Sequence, residues 1–395
     1  MRLNYYKVIW QLKYNTPPRS LQAFCKIITR RRKNSYYIIP PMTLSVCMIV
    51  KDEEDALARC IECVKPFADE IIIVDTGSTD GSVEIARSLT DKVFFFEWCD
   101  DFSAARNFSF SKAGCDLVMW LDADDYITPE NAQKIAALKG RDDFDVAFIK
   151  YAAAFDNATP TFIYYRERIF RRSMNLKWQG FVHEAISPAG RCVYSDACVY
   201  HKKVKVGDPS RNLNMFRRHI SRGEQLSARE KFYYGRELFF NNLLCESIAV
   251  LSDYLKGGGW VENEIEACRT LYKAYKKLGC KNEAVSALLQ AFSYGPPRAE
   301  DCCYLAEYFE DKNDIQAAIY WYERALYSKE RAENGGFVNV DFLTFIPAIR
   351  LCVLHDREGN FSLAAQYNEM AGKAKPDSAS CLHNKRYFQT KLSER

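Results

Sequence analysis

Four short runs of β-forming apolar residues, each followed by a stretch of helical pattern, constrain this chain more than any other feature. They lie at 44–50, 70–75, 93–96 and 116–122. Runs this apolar read as strands buried on both faces. The segments between them predict helices to about residue 64, to about residue 89 and over 103–113, and Pro129 opens another at its first position. Asp52-Glu53-Glu54 suits the first turn of the first helix. This alternation implies a parallel sheet with helices on both faces. Ligands of such sheets bind beyond the carboxyl ends of the strands. Here those ends carry Lys51-Asp52-Glu53, Asp75-Thr76-Gly77-Ser78 and Asp122-Ala123-Asp124-Asp125, so carboxylates gather along one edge. After about residue 144 the pattern changes. Segments 145–153, 161–170, 178–188 and 192–201 read as strands with no helices between them, which adds mixed or antiparallel strands.

The acidic strand ends suggest chemistry. Asp122, Asp124 and Asp125 follow a buried strand, where carboxylates two residues apart can share one hard divalent cation that bridges to phosphates. Asp75 either caps the strand-to-helix turn that Gly77 allows or accepts from a nucleotide base or ribose, and one arrangement can do both. Arg106, at the start of a helix with Asn107, can meet phosphate or an acidic loop. Trp178-Gln-Gly-Phe-Val-His183-Glu184 sets an aromatic, a glycine and a His-Glu pair within seven residues. On a strand His183 and Glu184 point to opposite faces, and Glu184 is the candidate general base. His201, after Cys-Val-Tyr, offers a nitrogen to the metal or a structural role.

Taken in order, Leu44-Ser-Val-Cys-Met-Ile-Val-Lys-Asp-Glu-Glu54, Ile73-Val-Asp-Thr-Gly-Ser-Thr-Asp-Gly81, Phe102-Ser-Ala-Ala-Arg-Asn107 and Trp120-Leu-Asp-Ala-Asp-Asp125 resemble the GT-A glycosyltransferases of family 2, over roughly residues 43–130. The Trp178-to-Glu184 motif is similar to that of a subgroup joining this domain to tetratricopeptide-like helices, the plan of the sublancin S-glycosyltransferases. The resemblance implies an α/β GT-A fold, a Rossmann-like mixed sheet with helices on both faces. It also implies a nucleotide-sugar donor of the UDP-sugar type, Mn²⁺ or Mg²⁺, and inversion at the anomeric carbon. By position, Asp75 contacts the base, Asp122 the ribose or diphosphate, and Asp124 the metal with His201. Lys51, Glu53, Arg106, Asn107 and Trp178 complete the donor side, and Glu184 with His183 forms the catalytic pair. Two departures stand out: Asp52 replaces the Asn expected after Lys51, and the family's usual Glu-Asp base pair is absent, with Glu184 as its substitute.

From about residue 209 the chain reads as helices of about 12–15 residues. Leu271-Tyr272…Tyr275…Ala284…Leu288…Ala291 recurs, shifted by 34, as Leu305-Ala306…Phe309…Ala318…Tyr322…Ala325. That shift is the tetratricopeptide period, and stacking of such units buries apolar faces that no single unit can bury. A weaker unit begins at Tyr234-Gly235 and another at Leu351-Cys352, the last preceded by an insertion over 330–341. The expected organisation is a basic extension over 1–41, a transferase domain over 42–208 and an all-α repeat domain over 209–395. The repeats would hold a protein, peptide or glycan acceptor, a partner, or a second copy.

Charge and cysteine content narrow the class further. The net charge of +4 contains +9 within residues 1–41, so the remainder carries −5, which argues against nucleic acid as the partner. The extension lacks a secretory-signal pattern, and the first strand begins just after Met42, where translation would naturally start. The longest nearly apolar run, 38–50, is 13 residues and is broken by Pro40-Pro41; a bilayer span needs about 20. Fifteen scattered cysteines suit free thiols in a reducing cytoplasm, and Cys60-x-x-Cys63 reads as two residues of a helix rather than a metal or redox site. The basic extension is the one segment suited to anionic lipid at the inner membrane surface. The competing readings are an interaction protein with an inactive transferase domain, and a sugar-nucleotide pyrophosphorylase. The second would need a glycine-rich basic phosphate loop where Lys51-Asp-Glu-Glu54 stands.

Overall fold

The computed structural model describes residues 29–32, 35–38, 41–156, 159–202, 207–328 and 338–393. Most of the basic extension and part of the insertion before the last repeat lie outside the described residues. Strands β1 (Thr29–Arg32) and β2 (Ser35–Ile38) form an antiparallel pair of their own.

The main sheet begins with β3 (Leu44–Val50), β4 (Glu70–Asp75), β5 (Lys92–Phe95) and β6 (Leu117–Asp122), all parallel in the order 5-4-3-6. Period-two alternation explains the layers. Leu44, Val46, Met48 and Val50 face a core closed by helices α1 (Leu57–Val64), α2 (Ser82–Leu89) and, after α3 (Phe102–Ser111), α4 (Pro129–Leu138). Cys47, Ile72, Val74 and Val118 face the opposite core, where Phe108, Phe110 and Ala113, from α3 and the turn after it, pack. Beyond β6 the sheet continues with β9 (Thr159–Arg171), β8 (Val146–Asp156), β12 (Cys192–His201) and the two-residue β7 (Asp125–Tyr126), and antiparallel pairs enter here. The sheet is therefore mixed, and its parallel half carries helices on both faces.

Two local expectations are corrected. Helix α1 starts at Leu57, so Asp52-Glu53-Glu54 is not its first turn; these residues tie neighbouring loops together, as described below. Residues 178–188 are not one strand. Short β10 (Trp178–Gln179) and β11 (Ala185–Ile186) pair with each other, and the chain between them turns through Gly180 (φ +89°) and His183 (φ +52°). A left-handed backbone at His183 breaks the alternation that a strand would impose.

The rest is helical. After α5 (Arg211–Ser221), antiparallel pairs follow: α6 (Ala228–Phe240) with α7 (Leu244–Gly257), α8 (Val261–Lys277) with α9 (Lys281–Gln290), and α10 (Ala299–Asp311) with α11 (Ile315–Leu326). The short α12 (Val340–Leu343) leads to α13 (Phe345–Arg357), α14 (Phe361–Ala374) and α15 (Ala379–Ser393). The 34-residue shift has a physical expression: Ala284, Leu288, Ala318, Tyr322 and Ala325 are all buried, and Tyr272 stacks on Tyr304 at 4.9 Å. Gly235 is needed at its site, because a Cβ there would stand 2.5 Å from Leu251 Cδ2. This is an all-α, tetratricopeptide-like array.

The two halves share one core. Phe181 and Val182, from the β10–β11 turn, pack with Met215, Phe216 and Phe232 of the helices and with Trp98 and Phe102. All fourteen cysteines among the described residues are free thiols, and Cys63 Sγ donates to the Cys60 carbonyl within α1. No described helix is long and apolar enough to cross a membrane.

Candidate functional site

The ends of β3 and β4 are sewn together. Thr79 N–H and Gly81 N–H donate to Asp52 Oδ1 at 2.7 Å and Glu54 Oε2 at 2.8 Å. Asp52 N–H and Glu53 N–H donate to the hydroxyls of Ser78 and Ser82. Asp75, 3% exposed, accepts from the N–H groups of Gly77 and Ser78, so its carboxylate shapes the turn at the strand end. Gly77 has φ +101°, a conformation that favours glycine. Lys51 is exposed at the same edge, with Glu53 half-buried beside it.

The second cluster stands at the end of β6. Arg106 of α3 is buried, and its guanidinium joins two carboxylates: Nη2 donates to Asp122 Oδ1 at 2.7 Å and Nε to Glu184 Oε1 at 2.6 Å. Its centre lies 4.9 Å from both the Trp120 and the Trp178 rings. Burial works against the charge, but Asp122 and then Glu184 outweigh it and hold the guanidinium protonated. Burial also raises Asp122, yet Arg106 and Arg168 overcome it and bring its pKa to about 2. Asn107 and Trp178 stand behind this pair: Asn107 Nδ2 donates to the Trp178 carbonyl, and Trp178 N–H donates back to Asn107 Oδ1.

The third cluster joins Asp124, Asp125 and His201. Strand β12 returns antiparallel to β7, with His201 opposite Asp125. His201 Nδ1 lies 3.4 Å from Asp124 Oδ1 and 3.7 Å from Asp125 Oδ1, and it is buried without a hydrogen-bond partner. The two carboxylates as proton acceptors, Asp124 first and Asp125 second, outweigh burial and lift its pKa to about 10. Asp125 is fully buried and already satisfied, by Tyr151 Oη at 3.0 Å, Arg168 Nη1 at 3.1 Å and the Asp122 N–H. Ligand atoms of the three residues lie within 4.8 Å of one another. An unpartnered imidazole nitrogen facing acidic oxygens is the donor set a borderline or hard divalent cation takes. Asp124 and His201 are the members with ligating capacity to spare, so the residues fit a metal.

His183 faces the helices rather than the sheet. Its Nε2 meets Glu237 Oε1 of α6 at 2.7 Å, and its ring stacks on Tyr233 at 4.2 Å. Arg229 donates to the His183 carbonyl. The helical half thus grips the turn that carries Glu184. Sequence reading missed Arg168, Tyr151 and Glu237. The charged triplet Arg166-Glu167-Arg168 inside the otherwise apolar and aromatic run Tyr164–Phe170 is the one signal that pointed to Arg168.

Residues 45–192 match the family model described as glycosyl transferase family 2, so the chain carries a domain of that family. A TPR repeat-containing protein of Synechococcus elongatus is 45% identical over 22% of this chain and 22% of its own length. The SPbeta prophage-derived glycosyltransferase SunS of Bacillus subtilis is 29% identical over 54% of this chain and 52% of its own. An uncharacterized glycosyltransferase of Rickettsia bellii is 30% identical over 49% of this chain and 66% of its own. The chain thus spans about half or less of the first two of these relatives.

Proposed function

We propose that this chain is a nucleotide-sugar-dependent, inverting glycosyltransferase that serves a protein, peptide or glycan acceptor. The observation that carries the reading is the meeting of Asp124 with His201 just past the end of β6, where Arg106 also links Asp122 to Glu184 of the β10–β11 turn. Asp124 and His201 would hold a divalent cation, Mn²⁺ or Mg²⁺, which when bound supplies charge neutralisation for a diphosphate leaving group.

On this reading Asp75, set by its turn at the end of β4, receives the base of a UDP-type donor, and the sewn loops at Asp52–Glu54 fix its place. Lys51 and Glu53 lie on the same side, and Arg106 orients Asp122 toward the ribose and diphosphate. Arg106 also holds Glu184 through Oε1, which leaves Oε2 to take the acceptor's proton. The acceptor atom then attacks the anomeric carbon from the face opposite the diphosphate, and the bond between that carbon and the phosphate oxygen breaks. His183, held by Glu237 and Tyr233, fixes the turn that presents Glu184.

The test is nucleotide release from a panel of nucleotide sugars, with Mn²⁺ or with EDTA, comparing wild type with Asp124→Asn. One donor should be hydrolysed slowly only with metal, and Asp124→Asn should lower that rate about 10²-fold or more, the scale of losing a key electrostatic group. Metal-independent release, or an unchanged rate in the variant, refutes the assignment. No release and no binding of any donor would favour an interaction protein.

A further inference from the structure

A cavity of about 750 Å³ opens between the far end of the sheet and helices α6 to α8. It reaches His183 and Ala185, on either side of Glu184. We propose that this cavity binds the acceptor and that it is built for an acidic saccharide, one bearing a carboxylate or phosphate. The proposal rests on the transferase reading above and adds the class of acceptor.

Charge is the first reason. Among the described lining residues three arginines, Arg166, Arg229 and Arg236, face one glutamate, Glu167. Glu167 is engaged by Arg166 at 3.2 Å. The hydrogen bonds of Arg229 among the described residues go to neutral oxygens, the His183 carbonyl and Tyr233 Oη. A guanidinium on neutral acceptors keeps its charge available for an anion.

Unmet hydrogen bonding is the second reason. Tyr254 and Asn263 line the cavity and are each 2% exposed, yet Tyr254 Oη and Asn263 Oδ1 have no hydrogen-bond partner among the described residues. Buried polar atoms left unpaired are costly and call for an explanation. A hydroxyl-rich ligand supplies the donor that Asn263 Oδ1 needs and either role for Tyr254.

The third reason is shape. Tyr165, Tyr194 and Trp260 line the space, aromatic side chains of the kind suited to the C–H faces of sugar rings. The volume falls within the range of about 300–1,000 Å³ typical of small-ligand sites. The helical half contributes Arg229, Tyr233, Tyr254, Trp260 and Asn263, so the repeats complete the site.

The test uses the full chain and calorimetric titration with three probes: methyl β-glucuronide, glucose 6-phosphate and the neutral methyl β-glucoside. An anionic probe should bind about tenfold tighter than the neutral one at low salt, the effect of one charge-assisted hydrogen bond, and the margin should shrink as salt rises. Which of the two anions leads tells carboxylate from phosphate. Asn263→Asp should erase the margin by placing a like charge in the cavity. If that variant does not fold, Arg236→Gln should reduce it. Equal affinities for all three probes, no binding of either anion, an unchanged margin in the folded variant, or binding of an Asp/Glu-rich peptide alone each overturns the proposal. UDP binding with Mn²⁺, measured on the wild-type chain alongside, separates the two readings. UDP bound without anion preference overturns this inference only; anion preference without UDP binding overturns the transferase reading only.

Discussion

Replacing Arg106 by Met tests whether one buried cation holds the centre of the site. The guanidinium serves two carboxylates at 2.6 and 2.7 Å, and the Glu184 side chain is only 12% exposed. Removing one partner of a buried ion pair costs about 3–5 kcal/mol, chiefly because the remaining charge is left unpaired. Asp122, at 32% exposure, can turn to water, so most of that loss falls on Glu184. Met retains apolar contact with Trp120 and Trp178, which confines the effect to electrostatics. At about 2–4 °C per kcal/mol for a domain of this size, the transition of the sheet domain should fall by about 6–20 °C. The assay is thermal and urea unfolding followed by tryptophan fluorescence, to which the two indoles beside residue 106 contribute among the chain's six. Adding Glu184→Gln to Arg106→Met should restore at least about 1 kcal/mol, since it removes the orphaned charge. Arg106→Lys should recover only part, because one ammonium cannot span both carboxylates between two rings. A loss under about 1 kcal/mol, or a double variant whose losses simply add, would refute the reasoning.

Two further outcomes follow from packing and charge. Gly235→Ala places a Cβ 2.5 Å from Leu251 Cδ2, so urea unfolding should show about 1–3 kcal/mol of destabilisation from overpacking; a neutral result would mean that the α6–α7 pair is loosely packed. Asp145 accepts from Arg191 through its side chain and its backbone N–H, which brings its pKa to about 2 from an ordinary 3.8. A carboxylate lowered in the fold adds stability above pH 3.8, and that stability disappears as pH falls toward 2. Unfolding midpoints of Asp145→Asn should therefore lie below those of wild type at pH 5 and converge with them near pH 2; a gap that persists unchanged into acid would assign the effect to packing instead.

The parallel strands were legible because a buried strand must be apolar on both faces, and Leu44–Val50 and Leu117–Asp122 show that directly. The repeats were legible because helix pairing needs small residues at fixed spacing, as at Ala284 and Ala318. The segment around Glu184 was not. Its conformation comes from partners far along the chain: Phe102 N–H donates to the Phe181 carbonyl, Ser103 Oγ to the Gly180 carbonyl, and the Phe181 ring stacks on His219 at 3.8 Å. Glu237 was invisible for the same reason, since a charged residue on an amphipathic helix looks solvated until His183 arrives from 54 residues away. Asp52-Glu53-Glu54 had the composition of a helix start, but the donors that claimed those carboxylates sit on the next loop, at Thr79 and Gly81.

The core shared by Phe181, Val182, Phe216 and Phe232 bears on how such a protein can be inherited and re-engineered. A tetratricopeptide array is usually an interchangeable attachment, lengthened or exchanged without disturbing what it is fused to. Here the first helices act as the missing wall of the other half, so α5 to α9 must descend with the sheet while the later repeats are freer to diverge. A graft that swaps the array after α9 would keep the shared core whole; one that cuts between residues 208 and 209 would sever it.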